Sequence, residues 1–254
     1  MAVWVPPLLA LTVWAVYVCD RLLDARAALR AAELSRLRER HYFHWRHRRV
    51  LLPAAVVAAC AATGLILACM PVDARERDSV LATASLLYFA RVHSGHRINL
   101  FHCSVLSKEL LVGVLFTCGC ALPVFGALLS SNIAIWPLVG VAAFFAPLAW
   151  LNCHAIDKWE TGKTAAPHTR MRFHLSSGLA SAPVLAVAGA LLALSVSFFD
   201  ARAGALLASG AASALSLALL DVHNEKLSPV ILRSAADLAL LAPALILGAV
   251  WLTR

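Results

Sequence analysis

The chain has 254 residues, of which 61% are hydrophobic and 14% are charged, and its formal net charge is +8 at pH 7. Soluble domains are usually about a quarter charged, so this composition and a mean hydropathy of +0.78 exclude an ordinary water-soluble fold. Apolar stretches long enough to cross about 30 Å of hydrocarbon recur along the whole sequence. They predict an all-α protein, a single polytopic bundle of transmembrane helices over residues 1–254.

Eight transmembrane helices are predicted in chain order. The first follows no basic segment and is followed by Asp20 and Asp24 instead of a small-residue cleavage site, which favours a retained helix over a signal peptide. The third has the shortest clean apolar run, because Arg91 interrupts it, and we keep it because the charge pattern depends on it. The predicted helices are 3–19, 50–70, 79–93, 109–126, 133–151, 177–198, 203–220 and 234–252.

The basic residues predict how these helices are oriented. If all eight cross, eighteen of the 22 Lys and Arg residues lie on one side, and the other side keeps Arg75, Arg77, Arg202 and Arg254. Basic segments remain on the cytoplasmic side of a membrane. We therefore expect a bacterial inner (plasma) membrane protein whose cytoplasmic segments are 21–49, 91–108, 157–174 and 222–233.

One long polar segment follows the first helix. Its last part, RHYFHWRHRR at 40–49, mixes Arg with aromatic residues, which is typical of a helix that anionic headgroups hold at the membrane surface. We predict a cytoplasmic basic amphipathic segment at 25–49 whose partner is membrane lipid. The alternative is that its charge attracts an anionic substrate. Nucleic acid is not expected as a partner, since no groove-reading module accompanies the charge.

Ionisable side chains are costly at membrane depth, and here they gather at the predicted cytoplasmic helix ends. Asp20 and Asp24 are four residues apart, a spacing that puts both carboxylates on one helix face. Asp157 and Glu160 are three apart at the end of the fifth helix, again on one face. Mg²⁺ typically takes one or two carboxylates together with water and phosphate oxygens, so these pairs favour a magnesium-held diphosphate. The alternative is a membrane-boundary cluster with internal ion pairs, such as Arg21 with Asp24.

Three stretches resemble motifs of the UbiA superfamily of intramembrane prenyltransferases. CDRLLD resembles the end of the first aspartate-rich motif, N-D-x-x-D-R-x-x-D, through Asp20, Arg21 and Asp24. Val16 and Tyr17 stand where that motif has its first Asn and Asp.

The other two stretches lie later in the chain. HAIDKWE resembles the second motif, D-x-x-x-D, in which Asp157 matches the first carboxylate and Glu160 stands one residue before the second. SKELLVGVLF resembles the entry to the family's fourth helix, with Lys108 as the phosphate-facing cation.

The resemblance implies a UbiA-like bundle around a lipid-open cavity. It implies a magnesium-dependent prenyltransferase that transfers an isoprenoid group from a prenyl diphosphate to a lipophilic acceptor within the membrane. Asp20, Asp24 and Asp157 would then be catalytic residues that hold Mg²⁺, with Glu160 as a further metal ligand. The residues expected to bind the substrate are Arg21, Arg91, Arg97, Lys108, Asn152 and His154.

Three other functions remain open from the sequence. The first is a membrane terpene cyclase of the same superfamily, which uses the same magnesium chemistry without an acceptor. The second is a transporter. Two features of the sequence argue against it: the charges lie at one face instead of the midplane, and no inverted repeat is visible. The third is a non-catalytic membrane bundle, which the departures from the motifs keep open.

Overall fold

A computed structural model describes residues 3–30, 39–93, 108–129, 135–164 and 179–252. The described residues form helices joined by short turns, which confirms the all-α class. In chain order the helices are α1 (Val5–Arg30), α2 (Glu39–Arg46), α3 (Arg48–Cys69), α4 (Val72–His93), α5 (Lys108–Leu129), α6 (Trp136–Thr164), α7 (Ala182–Ser197), α8 (Ala201–Val222) and α9 (Pro229–Leu252).

Three helices of the described chain are long and apolar enough to cross a membrane: Arg48–Cys69, Trp136–Glu160 and Ala201–Val222. Leu110–Gly126 and Ala182–Ser197 are shorter apolar helices. These helices support membrane association, as the composition predicts. Each of the eight predicted stretches overlaps one observed helix, and the crossing of all eight stays a prediction.

The surface of α3 shows why lipid suits this fold. The residues that α3 buries are small, namely Ala55, Ala58 and Ala62. Several of its large side chains are exposed, for example Val57 at 67% and Leu67 at 63%. In water this arrangement would be unfavourable, whereas in lipid small residues at the contact let helix backbones approach closely and large apolar residues face the acyl chains.

The chain divides into two compact units. The first consists of Met1–Ser104 with Leu122–Gly126, and the second of Val105–Ala121 with Ala127–Arg254.

In the first unit, α3 packs along α1 and the short α2 lies against both. The contact between α1 and α3 is apolar, since Val18 and Leu22 on α1 form a buried cluster with Ala55. This packing places the C-terminal half of α1 beside the first turns of α3. The polar residues that end α1 therefore lie near α2.

In the second unit, the ring of Phe144 lies where α6, α7 and α8 meet. Phe144 of α6 is buried, and a Cβ atom built on Gly189 of α7 or on Gly210 of α8 would come within 2.6 Å of its ring. A side chain at either position would therefore force the buried Phe144 ring to shift. Asp200 caps the start of α8, where its Oδ1 accepts hydrogen bonds from the backbone N–H groups of Arg202 and Ala203 at 2.9 and 3.1 Å.

Three helices extend seven or more residues beyond a predicted end. The sequence predicts an end at residue 19 for α1 and at residue 151 for α6, whereas the helices run to Arg30 and Thr164. Likewise α4 begins at Val72 instead of residue 79. Hydropathy locates the apolar part of a helix but not the residue at which helical hydrogen bonding ends. A helix can therefore continue beyond the end that hydropathy predicts. The aspartates and the polar residues of α6 consequently lie inside helices, where their spacing defines a face.

Candidate functional site

Three charged residues at the C-terminal half of α1 form what we call the aspartate cluster: Asp20, Arg21 and Asp24. Arg21 Nη2 lies 3.6 Å from Asp20 Oδ2, and Arg21 Nη1 lies 3.8 Å from Asp24 Oδ2. All three side chains are partly buried. The internal ion pair that the sequence offered as an alternative reading is therefore present. It joins both carboxylates through one guanidinium group.

The structure adds His41 of α2 to this cluster. His41 is only 8% exposed, and its Nε2 lies 3.9 Å from Asp24 Oδ2 and 3.4 Å from Arg21 Nη1. An arginine can only donate, so Nε2 is the acceptor in the contact with Arg21. From the sequence this histidine is predicted to lie in the surface segment 25–49 and not in the site.

A second histidine of α2 packs nearby. His44 lies edge-on to Tyr17 of α1 with ring centroids 5.5 Å apart, and the Arg21 guanidinium lies 5.1 Å from the Tyr17 ring centroid. His41 and His44 are three residues apart, so they share one face of α2, and that face is buried. This spacing was the one signal in the sequence for an inward histidine face.

Arg21 keeps one donor that the described residues do not use. Its Nε is buried and has no hydrogen-bond partner within the described ranges. Buried polar groups are nearly always hydrogen-bonded, so a donor of this kind marks a place where an acceptor such as a phosphate oxygen or water can bind. The cluster thus combines two carboxylates with one cationic donor that has no partner in the described part of the chain.

The second group of predicted site residues lies along α6. Asn152 is 7% exposed, and its Oδ1 is buried without a hydrogen-bond partner among the described residues. The ring of His154 stacks on Trp150 at 5.5 Å between centroids. Asp157 and Glu160 follow on the same helix and are partly buried. Their three-residue spacing within one helix agrees with the predicted shared face.

Asp221, at the end of α8, accepts hydrogen bonds from three side chains, and the sequence did not predict it as a site residue. Lys158 Nζ lies 3.2 and 3.1 Å from its two carboxylate oxygens, and Trp159 Nε1 donates to Oδ1 at 2.8 Å. The side-chain amide of Asn224 donates to the same carboxylate. These contacts bring the charged ends of α6 and α8 together.

An apolar groove of about 360 Å³ opens beside this carboxylate. It lies between the start of α7 and the end of α8, and Asp221 is its charged member. The groove is lined by Leu179, Ala180, Pro183, Leu215, Ala218, Leu219, Asp221 and Val222. Thus the site residues predicted on α6 do not line it.

The remaining predicted residues are placed only in part. Arg97 lies outside the described residues. Arg91 belongs to α4 and Lys108 begins α5, but the structure does not describe the side chains of these two residues. The aspartate cluster belongs to the first unit, and Asp157 with Glu160 to the second. In the described ranges no group of three or more His, Cys, Asp or Glu side chains is arranged to hold a metal ion.

Comparison of the chain with protein-family models, with curated proteins and with solved structures finds no match. The resemblance to the UbiA superfamily rests on the three sequence stretches alone, and it stays a prediction.

Proposed function

We propose that the chain is a UbiA-like, magnesium-dependent prenyltransferase that transfers an isoprenoid group from a prenyl diphosphate to a lipophilic acceptor in the membrane. The observation that carries this proposal is the aspartate cluster, in which Arg21 lies between two carboxylates and its buried Nε has no hydrogen-bond partner among the described residues. Two carboxylates suit a hard cation, and a free guanidinium N–H suits a phosphate oxygen. A magnesium diphosphate presents both groups at once.

The donor set of the cluster fits magnesium in kind and in number. Asp20 and Asp24 offer oxygen ligands alone, and the formal charge of the two carboxylates with Arg21 is negative. Mg²⁺ usually takes one or two protein carboxylates and keeps positions for water and phosphate, so a convergent set of three protein ligands is not required. When bound, the ion would draw negative charge from the leaving diphosphate.

The protein's own residues would position the substrate and stabilise the departing charge. Arg21 would donate through Nε to a diphosphate oxygen while its two terminal nitrogens remain with Asp20 and Asp24. His41, beside Arg21 and Asp24, would fix the orientation of both. Preorganised donors of this kind need little rearrangement when charge develops on the leaving group.

The residues of α6 extend the proposal to the second motif. Asp157 and Glu160 would supply further metal ligands, and Asn152 and His154 would bind the substrate. The support for Asn152 is its buried Oδ1, which has no partner in the described residues. The roles of Arg91, Arg97 and Lys108 as diphosphate-binding cations, and a cytoplasm-facing site in a bacterial inner membrane, are likewise part of the proposal.

A second candidate is a non-catalytic membrane bundle, and one observation favours it. Asp20 and Asp24 each have a cation within 4 Å already, since Arg21 pairs with both. A cluster of this type can serve only to neutralise charge at the membrane boundary. In that case the buried Nε of Arg21 would bind water or a lipid oxygen.

One experiment separates these candidates. The purified full chain is incubated with Mg²⁺ and prenyl diphosphates of increasing length, and released pyrophosphate is measured with and without a chelator. Magnesium-dependent release supports the prenyltransferase or the related cyclase, which product analysis with and without added acceptor distinguishes. Magnesium-dependent thermal stabilisation by a non-hydrolysable analogue, without release from the substrates, supports a non-catalytic binder. If the chain shows no pyrophosphate release and no thermal stabilisation, the proposal is refuted.

A further inference from the structure

The short helix α2 has two chemically different faces. Its inward face carries His41 and His44, which are both 8% exposed and contact α1. Its outward face carries Tyr42 and Phe43, which are 63% and 54% exposed. An eight-residue helix that buries histidines and exposes aromatic rings is unfavourable in water. The arrangement is favourable where the exposed rings meet a membrane interface.

A run of exposed basic residues begins three residues after Phe43. Arg46, His47, Arg48 and Arg49 are all exposed. The sequence from Arg40 to Val72 contains no acidic residue, so no neighbour along this segment neutralises the charge. The positive charge is therefore concentrated on one short stretch of the chain.

The position of this run fixes its depth relative to the bilayer. Arg48 is the first residue of α3, which is long and apolar enough to cross a membrane. The first turn of such a helix lies at the level of the lipid headgroups. Arg48 is held there, since its Nη1 donates to the carbonyl of Trp45 at 2.8 Å and its guanidinium lies 4.5 Å from the Trp45 ring centroid.

We infer that α2 and the first turn of α3 form a docking surface for anionic phospholipid headgroups. The arginines bind the lipid phosphates, while Tyr42 and Phe43 enter the boundary between headgroups and acyl chains. The partner is a lipid surface because the positive charge, the exposed aromatic rings and the start of a membrane span coincide at this place. This inference does not depend on prenyl transfer.

The two faces of α2 link this surface to the aspartate cluster. Lipid bound on the outward face holds α2 at the membrane, and the inward face of the same helix places His41 beside Asp24 and Arg21. Anionic lipid should therefore stabilise the folded chain as a whole, because it favours the packing of α2 on α1.

The test uses the purified full chain in neutral-detergent micelles. Phosphatidylglycerol or phosphatidylcholine is added in steps, and the thermal unfolding midpoint is recorded. We expect phosphatidylglycerol alone to raise the midpoint, and raised salt to weaken this effect because it screens exposed charges. An equal effect of both lipids would overturn the inference. So would an equal effect of inorganic phosphate, which has the charge without the membrane.

Variants locate the effect on this surface. Arg46→Gln with Arg49→Gln removes two exposed charges and leaves the contact between Arg48 and Trp45 in place. A basic residue near an anionic surface contributes a factor of roughly fivefold in affinity, so the double variant should need on the order of 25-fold more phosphatidylglycerol for the half-maximal effect. The variant with lysine at both positions keeps the charges and should restore most of the affinity for phosphatidylglycerol. Arg202→Gln, an exposed arginine at the start of α8, is the matched control and should behave as wild type.

The remaining outcomes also decide the matter. An unchanged lipid requirement in the double glutamine variant would overturn the inference. If that variant does not fold, the inference is tested by the salt dependence of lipid stabilisation in the wild-type chain and by the lipid requirement of the two single variants. Binding of a duplex RNA to the wild-type chain, lost in the double variant while phosphatidylglycerol has no effect, would assign the surface to nucleic acid and refute the lipid. Loss of lipid stabilisation with unchanged pyrophosphate release would separate this surface from the proposed reaction.

Discussion

Lys158 and Asp221 join the ends of α6 and α8, because the Lys158 ammonium group donates to both carboxylate oxygens of Asp221 at 3.2 and 3.1 Å. The indole of Trp159 donates to the same carboxylate at 2.8 Å, so two consecutive residues of α6 bind one residue of α8. Both charged side chains are partly exposed, so the contact is not a fully buried ion pair. It nevertheless has more directed hydrogen bonds than an ordinary surface pair.

A double-mutant cycle measures the strength of this contact. We expect Lys158→Met, Asp221→Asn and their combination to give a coupling free energy of about 1–2 kcal/mol, because the residues share a charge-assisted bidentate contact. The measurement is the free energy of unfolding of the full chain in mixed micelles. Glu225→Gln changes an exposed carboxylate close to the same helix end and is the control, with an expected effect within about 0.5 kcal/mol. Additive effects of the two substitutions would show that the contact contributes nothing.

The packing of α5 on α6 should depend on one glycine. A Cβ atom at Gly113 would lie 2.8 Å from both the carbonyl oxygen of Ala146 and the backbone nitrogen of Trp150. Backbone atoms cannot move aside as a flexible side chain can, so Gly113→Ala should lower the thermal unfolding midpoint. Gly140→Ala is the control, since nothing lies within 4 Å of its Cβ position and alanine favours a helix by about 1 kcal/mol. Equal midpoints for the two variants would contradict the close approach.

The aspartate cluster gives a prediction about activity. Asp20→Asn and Asp24→Asn keep the shape of each side chain and remove the charge that a magnesium ion requires. We expect each to lower magnesium-dependent pyrophosphate release by about 100-fold or more, the range found when one electrostatic contact of a site is removed. Asp73→Asn makes the same chemical change at an exposed position of α4 and should leave release unchanged. Retained release in both cluster variants would remove the first motif from the mechanism.

Topology can be tested by labelling single introduced cysteines in a cysteine-free background, since Cys60, Cys69 and Cys120 are exposed and would otherwise react. The uneven distribution of basic residues predicts that 25–49 and 161–174 face the cytoplasm and that 72–77 and 199–202 face out.

Four exposed positions suit this labelling. Arg46→Cys and Lys226→Cys should react with a membrane-impermeant reagent only from the cytoplasmic side, and Asp73→Cys and Arg202→Cys only from the outside. Labelling of the Asp73 position from the cytoplasmic side would contradict the eight-helix topology.

Composition and hydropathy alone predicted the all-α class and the approximate position of each long helix. The pairing of Arg21 with Asp24 was also predictable, because residues three apart in one helix are neighbours whatever the helix packs against. For the same reason the shared face of Asp157 and Glu160 needed no knowledge of the fold. These features depend on the composition and on local helical geometry, which a single sequence contains.

The contacts between helices were decided only by the tertiary structure. His41 contacts Arg21 from 20 residues away, and Lys158 contacts Asp221 from 63 residues away. In water the apolar face of a helix marks its inner side, but in lipid both faces are apolar, so hydrophobicity does not tell which face packs. The face that packs is instead determined by small residues that let two helices approach closely, as Gly113 does against α6. The pairs of helices that pack together therefore depend on how their surfaces fit in three dimensions. The contact of His41 with the aspartate cluster follows from that packing and is not visible in the sequence.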